Sequence, residues 1–329
     1  MKLTPGKLKG MNAVSDARGV IAAAAMDQRG SLQKALTKEK GAPATTAMME
    51  EFKVAVSRAL TPHASAILLD PEYGLPAARA RARNAGLLLA YEESGYDNTQ
   101  PGRLPDLLPH VSVRRLQADG ADCVKVLLYY TPEEDSSIND IKHAFIERVG
   151  AECRAADIPF FLEFVGYDPR GGDEKGLDFA RRKPEVVRGS MAEFTQDQYG
   201  VDVLKVEIPV NMKFVAGAAA CSGESAYTKE QAMEHFRRAA AVATKPFIYL
   251  SAGVSNAEFN EGLALAAAAG TRFSGVLCGR ATWKDGIAIY AQQGLAAFEQ
   301  WLATQGRANI EAVNRSLQAA TPWHAVYGV

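Results

Sequence analysis

Two lysines and a glutamate lie inside short apolar, β-branched segments of this chain. They are Lys125 in segment 123–127, Glu163 in segment 160–164 and Lys205 in segment 202–208. Burying a lysine as a cation is costly, so a lysine in an apolar strand needs a partner or a function. An amine in an apolar pocket can be a nucleophile toward a carbonyl carbon. A carboxylic acid beside it can protonate the hydroxyl group that must leave as water. These residue types therefore indicate Schiff-base chemistry.

Side chains along a strand alternate between its two faces, and this alternation places all three groups on the less apolar face of their strands. Each of them lies opposite to the uniformly apolar side of its segment. In a barrel the apolar side packs under the helices, and the other side points into the interior. We therefore expect Lys125, Glu163 and Lys205 to converge inside a barrel from three consecutive strands. Asp27, at the end of the first strand, is expected at the same rim.

Two structural interpretations compete with a nucleophilic Lys205. The lysine could lie on an edge strand and extend its amine to water, or the three residues could form a structural Lys–Glu–Lys ion network. Buried ion pairs rarely make a protein more stable than apolar residues would at the same positions. A catalytic role therefore explains Lys125, Glu163 and Lys205 better than a structural ion network does. A second cation and partial desolvation are both expected to lower the pKa of Lys205.

Eight short apolar segments, with helical sequence between them, are available to position these residues. The segments are 20–26, 66–69, 87–91, 122–130, 159–165, 201–208, 246–251 and 273–278. Helical periodicity is clear in 46–60, 136–156 and 228–243, and the last of these opens with a capping-box pattern, Thr228 and Gln231. This alternation predicts one (β/α)8 TIM barrel over residues 1–329, with a C-terminal helix at 310–319 and a tail. A doubly wound sheet is the alternative, but residues 26–30 lack the glycine-rich turn of a nucleotide site.

Two polar regions are expected at the carboxyl ends of the strands. Small-residue turns with Ser251, Gly253 and Gly279 follow the seventh and eighth segments, and Arg280 comes next. Barrels often bind phosphate in these loops, and an arginine adds a forked contact. The polar stretch 166–183 is predicted to be a long loop after the fifth strand, either lining the site or serving as a surface insertion.

The composition excludes several classes of partner. The formal net charge of −1 gives no electrostatic attraction for nucleic acid or an anionic membrane. Spanning a membrane takes ~18–20 apolar residues, more than any run in this chain, and the alanine-rich start is too short for a signal peptide. The cytoplasm is the expected compartment, and the four widely spaced cysteines are expected to be reduced. None of the five histidines lies at a strand end or at a metal-ligand spacing, so we expect no catalytic metal and no cofactor.

Taken together, these motifs make the chain similar to the bacterial class I tagatose-1,6-bisphosphate aldolases. The motifs are Asp27-Gln28-Arg29-Gly30, Lys125, Leu162-Glu163, Leu204-Lys205-Val206-Glu207 and Leu250-Ser251-Ala252-Gly253-Val254, in order along the whole chain. The resemblance implies a (β/α)8 barrel that reversibly cleaves a ketose 1,6-bisphosphate to dihydroxyacetone phosphate and glyceraldehyde 3-phosphate. The ketose would be tagatose 1,6-bisphosphate, with fructose 1,6-bisphosphate as a possible second substrate.

The resemblance also implies a role for each site residue. Lys205 would form the Schiff base, and Glu163 would be the general acid and base. Asp27 and Lys125 would orient the substrate hydroxyl groups. Ser251, Gly253, Gly279 and Arg280 would hold the C1 phosphate, while Gln28 and Arg29 would contact the second phosphate or the sugar.

Other functions stay open at this point. An aldolase of the same family could act on 6-deoxy-6-sulfofructose 1-phosphate with the same Schiff-base residues. Transaldolase-like and deoxyribose-phosphate-aldolase-like enzymes also use a strand lysine, with different partners. A non-catalytic sugar-phosphate sensor on the same barrel would need the phosphate loops but not the lysine–glutamate pair. A homo-oligomer is possible, and the ligand in every case is a small sugar phosphate.

Overall fold

Eight parallel strands close into a barrel in the computed structural model, which describes residues 3–93 and 100–328. The strand order around the barrel is the order along the chain. The strands are β1 (Ile21–Met26), β2 (Ala66–Leu69), β3 (Gly86–Ala90), β4 (Cys123–Tyr129), β5 (Phe160–Val165), β6 (Val203–Glu207), β7 (Phe247–Leu250) and β8 (Gly275–Cys278). The predicted (β/α)8 fold is confirmed, and each strand end lies within two residues of the predicted one.

Helices surround the barrel and connect its strands. They are α1 (Pro5–Ala13), α2 (Gly30–Lys40), α3 (Thr46–Leu60), α4 (Leu75–Ala80), α5 (Val113–Ala118), α6 (Ser136–Ala155), α7 (Leu177–Phe194), α8 (Lys229–Ala241), α9 (Asn256–Ala268), α10 (Arg280–Trp283), α11 (Gly286–Gln293), α12 (Leu295–Trp301), α13 (Arg307–Ser316) and α14 (Trp323–Tyr327). The capping box predicted before α8 is present: the Thr228 hydroxyl accepts a bond from the Gln231 amide, and the Gln231 side chain accepts one from the Thr228 amide. None of the helices in the described residues is long and apolar enough to cross a membrane.

The prediction of a loop over 166–183 is wrong in its second part, because α7 begins at Leu177. A proline inside a helix cannot donate the backbone bond to the carbonyl four residues earlier. Here Pro184 leaves the carbonyl oxygen of Ala180 without that donor, and the Tyr227 hydroxyl donates to this oxygen at 2.8 Å instead. This donor comes from a residue far along the chain, which the polar composition of 166–183 does not indicate.

The two faces of the strands bury separate groups of apolar side chains. The outward face packs under the helices, as predicted, with Val124, Leu162 and Val206 among its residues. The inward face fills the amino-terminal part of the interior with residues such as Phe161 and Ile248. Met11 of α1, Val14 directly after α1 and Trp323 of α14 close the amino end of the barrel. The predicted C-terminal tail therefore packs against this end of the barrel. Polar interior side chains are therefore concentrated at the carboxyl end.

Candidate active site

Neighbouring strands β4, β5 and β6 bring Lys125, Glu163 and Lys205 together inside the barrel, as the alternation predicts. In the sheet register Glu163 pairs with Lys205 on one side and with Leu127 on the other. All three side chains are buried. They lie at the carboxyl end of the strands, where barrel enzymes have their active sites.

The ammonium group of Lys125 is surrounded by carboxylates. Its Nζ lies 2.8 Å from Asp27 Oδ2, 2.8 Å from Glu92 Oε1 and 2.9 Å from Glu163 Oε2. It donates hydrogen bonds to Asp27 and Glu92, and its contact with Glu163 is an ion pair. Asp27 is thus at the same rim as the predicted set.

Glu163 connects the two lysines through a single oxygen atom. Its Oε2 accepts a hydrogen bond from Lys205 Nζ at 2.7 Å and also lies beside Lys125 Nζ. The amine of Lys205 is only 3% exposed on the residue scale, and Glu163 is the carboxylate in contact with it. A carboxylate this close can take a proton from a lysine ammonium and give a proton to a leaving hydroxyl group.

The electrostatics of this cluster fix the charge of Lys125. Burial lowers the pKa of its ammonium, but Asp27, Glu163 and Glu92 outweigh burial and raise the pKa well above its ordinary value. For Asp27 and Glu163 burial raises the pKa of the carboxyl, while Lys125 and Lys205 outweigh it, so both pKa values lie below their ordinary range. The site therefore contains a cation at Lys125, with ionised carboxylates at Asp27 and Glu163 beside it.

Glu92 is a site residue that the sequence analysis missed. It follows β3 and is 3% exposed, and Arg29 Nη2 donates to its backbone carbonyl at 2.6 Å. Burial raises the pKa of its carboxyl, and the negative charge of Asp27 acts in the same direction, against Lys125 and Arg29. The rule that pointed to Asp27, an acidic residue directly after an apolar strand, would also have pointed to Glu92.

Lys53 of α3 is a second missed residue, and it supports the backbone on both sides of Asp27. Its Nζ donates to the carbonyl oxygens of Met26 and Gln28, each at 2.8 Å, and it is also paired with Asp70 after β2. Both charged side chains of that pair are fully buried. Lys53 therefore holds the turn that presents Asp27 and Gln28 to the barrel interior.

Gln28 and Arg29 lie next to Asp27, as the sequence requires, but in different surroundings. The Arg29 guanidinium is 4% exposed and donates to Glu72 Oε2 at 2.8 Å as well as to the Glu92 carbonyl. Its predicted contact with a second phosphate stays a prediction. The Gln28 amide nitrogen lies 3.5 Å from the Cβ position of Gly279, so this side chain reaches toward β8.

The turns after β7 and β8 bring Gly253 and Arg280 together. Gly253 has a φ of +81°, and a Cβ there would lie 2.8 Å from Cζ of Arg280, so the guanidinium needs glycine at this point. Lys284, a residue that the sequence analysis did not single out, donates to the Gly253 carbonyl at 3.0 Å. Ser251 is buried beside the thiol of Cys278. The turn therefore has cationic side chains of the type that bind phosphate.

No group of three or more His, Cys, Asp and Glu side chains suited to a metal ion occurs within residues 3–93 and 100–328. The space between Asp27, Glu92 and Glu163 is taken by the Lys125 ammonium. All four cysteines are free thiols, and three of them are buried.

Comparison with known proteins gives a consistent result. A model of the DeoC/LacD family of aldolases matches residues 21–285. A tagatose 1,6-diphosphate aldolase from Listeria monocytogenes serotype 4a is 50% identical over 329 residues, covering 100% of this chain and 96% of that protein. A tagatose 1,6-diphosphate aldolase 2 from Enterococcus faecalis is 53% identical over 326 residues, covering 99% and 98%.

Two solved structures share the fold at low sequence identity. A fructose-bisphosphate aldolase from Plasmodium falciparum, in complex with TRAP and a small-molecule inhibitor, has a TM-score of 0.68 at 14% identity, covering 95% of this chain and 96% of that chain. A Schiff-base-forming fructose-1,6-bisphosphate aldolase has a TM-score of 0.55 at 14% identity, covering 92% and 98%.

Proposed function

The chain belongs to the DeoC/LacD family of aldolases, and on that premise we propose that it is a class I aldolase acting on tagatose 1,6-bisphosphate. The products are dihydroxyacetone phosphate and glyceraldehyde 3-phosphate. Two relatives that are 50% and 53% identical over almost the whole chain are named tagatose 1,6-diphosphate aldolases. Fructose 1,6-bisphosphate, which differs only in configuration at C4, is proposed as a second substrate.

The observation that supports this proposal most strongly is the contact between Lys205 Nζ and Glu163 Oε2, at 2.7 Å. The ammonium of Lys205 passes one proton to Glu163, and the resulting amine attacks the C2 carbonyl. Glu163 gives its proton to the oxygen that was the carbonyl and takes a second proton from the nitrogen, which leaves a neutral carbinolamine. Glu163 then gives this second proton to the carbinolamine hydroxyl, which leaves as water and gives the protonated imine.

The same carboxylate serves the cleavage step. With C2 held as an iminium ion, Glu163 accepts the proton of the C4 hydroxyl, and the electrons of the C3–C4 bond move into the iminium. The aldehyde leaves and an enamine of dihydroxyacetone phosphate remains on Lys205. Protonation at C3 and hydrolysis of the imine release the second product and restore the amine.

The phosphate at C1 is assigned to the turns after β7 and β8. Arg280, held against Gly253, supplies a forked cationic contact, and Lys284 lies on the same turn. Ser251 and Gly279 complete the assigned set, and Gln28 reaches Gly279 from the β1 side. With C1 anchored at β7 and β8, C2 lies over Lys205 of the neighbouring β6.

Trapping with borohydride tests the proposal directly. The protein is incubated with dihydroxyacetone phosphate and sodium borohydride, with and without EDTA, and the mass adduct is mapped to a peptide. We expect one adduct on the peptide with Lys205, in the same yield with and without EDTA, because the proposed mechanism needs no metal or cofactor. We also propose that the enzyme is cytoplasmic.

The variant Lys205→Ala is the matched control and should give neither adduct nor turnover. An adduct on Lys125 would keep the aldolase but exchange the roles of the lysines. A folded protein without any adduct would contradict the Schiff-base mechanism and favour the sugar-phosphate sensor.

A further inference from the structure

Unpaired polar atoms are concentrated at one rim of the barrel. Within the described residues seven buried side-chain atoms have no hydrogen-bond partner, and four of them belong to residues that follow β1 and β3. These four are Asp27 Oδ1, Gln28 Oε1, Arg29 Nε and Glu92 Oε2. Three of them are acceptors and Arg29 Nε is a donor. A buried polar atom without a partner costs free energy, so the three acceptors at one rim indicate a binding site for hydrogen-bond donors.

Lys125 is unsuited to bind a substrate hydroxyl group in this arrangement. Its Nζ donates hydrogen bonds to Asp27 Oδ2 and Glu92 Oε1, each at 2.8 Å, and forms an ion pair with Glu163 Oε2 at 2.9 Å, so carboxylates surround it. The second oxygens of Asp27 and Glu92 remain without partners. Lys125 thus orients two carboxylates, each with one oxygen on the ammonium and one available to a ligand.

The order of strands around the barrel indicates which part of the sugar reaches these oxygens. The assigned C1 phosphate site lies after β7 and β8, and Lys205, which binds C2, lies on β6. Glu163 on β5 is next to Lys205 and acts at C4. Glu92 lies on the other side of Lys125, after β3, so the part of the chain beyond C4 is closest to it.

We propose that Glu92 is a substrate-binding residue, and that its Oε2 and Asp27 Oδ1 accept hydrogen bonds from the hydroxyl groups of the aldehyde half of the ketose, above all the one at C5. This inference rests on the proposed function and adds a residue and a specificity to it. Two carboxyl groups that contact the Lys125 ammonium through one oxygen each, and leave the other oxygen without a donor, select a hydroxyl donor. They repel an anion, so the terminal phosphate must lie beyond them.

The test compares two aldehydes in the condensation direction. Glyceraldehyde 3-phosphate has the hydroxyl group that becomes the C5 hydroxyl of the ketose, and 3-phosphopropanal lacks it. For each aldehyde kcat and KM are measured with dihydroxyacetone phosphate and with the wild type, Glu92→Gln and Glu93→Gln. Glu93 is an exposed neighbour with the same charge, so its variant is the matched control.

The expected result is a loss that depends on the aldehyde. A hydrogen bond to a charged group is worth enough that Glu92→Gln should lower kcat/KM for glyceraldehyde 3-phosphate about 10- to 100-fold, mainly through KM. For 3-phosphopropanal the change should stay within about 2-fold, because the lost partner is absent from that aldehyde. Glu93→Gln should match the wild type with both aldehydes.

Equal losses on the two aldehydes would show that Glu92 serves only to compensate the charge of Lys125, and would overturn the proposal. No loss on either aldehyde would overturn it as well. Borohydride trapping of dihydroxyacetone phosphate by Glu92→Gln reports folding and Schiff-base formation without any aldehyde. A wild type that fails to trap would refute the proposed function, whereas normal trapping with no aldehyde-dependent loss refutes the role of Glu92 alone.

Discussion

Replacing Lys125 with methionine should destabilise the protein much more near neutral pH than at pH 5. The side chain is buried, and its Nζ lies 2.8 to 2.9 Å from three carboxylates. In the wild type the pKa values of Asp27 and Glu163 are lowered, so their contribution to stability is present above their ordinary pKa and is lost as the pH falls through the lowered value. Methionine keeps most of the volume and removes the charge.

The size of the stability loss can be estimated by assuming that the variant replaces the lost positive charge with one bound proton. The folded variant can bind one proton on a carboxyl group of the cluster, which the unfolded chain does not hold at neutral pH. For a carboxyl of ordinary pKa of about 4.3, this costs about 1.4 kcal/mol for each pH unit above that value. The stability lost should therefore be about 4 kcal/mol at pH 7.5 and about 1 kcal/mol at pH 5.0. The figure at neutral pH agrees with the roughly 3–5 kcal/mol measured when one partner of a buried ion pair is removed.

Urea unfolding of wild type and Lys125→Met at both pH values measures this difference. The sign is fixed: the folded variant holds an extra proton, so its stability falls as the pH rises toward neutrality, and the gap from the wild type widens. Lys34→Met, the same change on the exposed face of α2, is the control and should shift the stability by less than about 0.5 kcal/mol at either pH. A loss for Lys125→Met that is equal at pH 5.0 and 7.5 would refute the assignment of Lys125 as the cation that keeps these carboxylates ionised.

Two further changes test the other site assignments. Glu163→Gln should lower the single-turnover rate about 10²- to 10⁴-fold while the protein stays folded, because no group returns the proton to the carbinolamine; an unchanged rate in rapid quench would contradict the acid–base role. Arg280→Ala should raise KM for the phosphorylated ketose about 10-fold or more with kcat largely retained, since the contact to the C1 phosphate is made throughout the reaction. A collapse of kcat at constant KM would move Arg280 out of the phosphate site.

The residues that the sequence could place are those whose position follows from strand geometry. Alternation along a strand decides whether a side chain points inward, and consecutive parallel strands are neighbours in a barrel. These two rules are enough to bring Lys125, Glu163 and Lys205 into one cluster. The same alternation runs through Leu88 and Ala90 to Glu92. The expected strand ended at Tyr91, one residue beyond its observed end, and Glu92 lies outside both.

Other features depend on contacts that no local pattern contains. Lys53 lies on a helix between apolar residues, and its burial is stabilised by the carbonyls of Met26 and Gln28 and by Asp70. Those acceptors become available only when α3 packs over the ends of β1 and β2. The Tyr227 hydroxyl, which donates to the Ala180 carbonyl that Pro184 cannot serve, is another partner from far along the chain. The sequence pattern therefore does not predict which distant residues form hydrogen bonds with the buried polar groups.

The surroundings of the two barrel lysines are the reason that we propose Lys205, and not Lys125, as the nucleophile. An amine must lose a proton before it can attack a carbonyl carbon. Lys125 is held as a cation by three carboxylates, which raise its pKa well above the ordinary value, so its lone pair is not available. Lys205 contacts one carboxylate oxygen, that of Glu163, at 2.7 Å, and Lys125 keeps this same oxygen ionised and able to accept the proton. The charge on Lys125 therefore keeps Glu163 ionised beside Lys205, and on this ground we expect the borohydride adduct on Lys205 and not on Lys125.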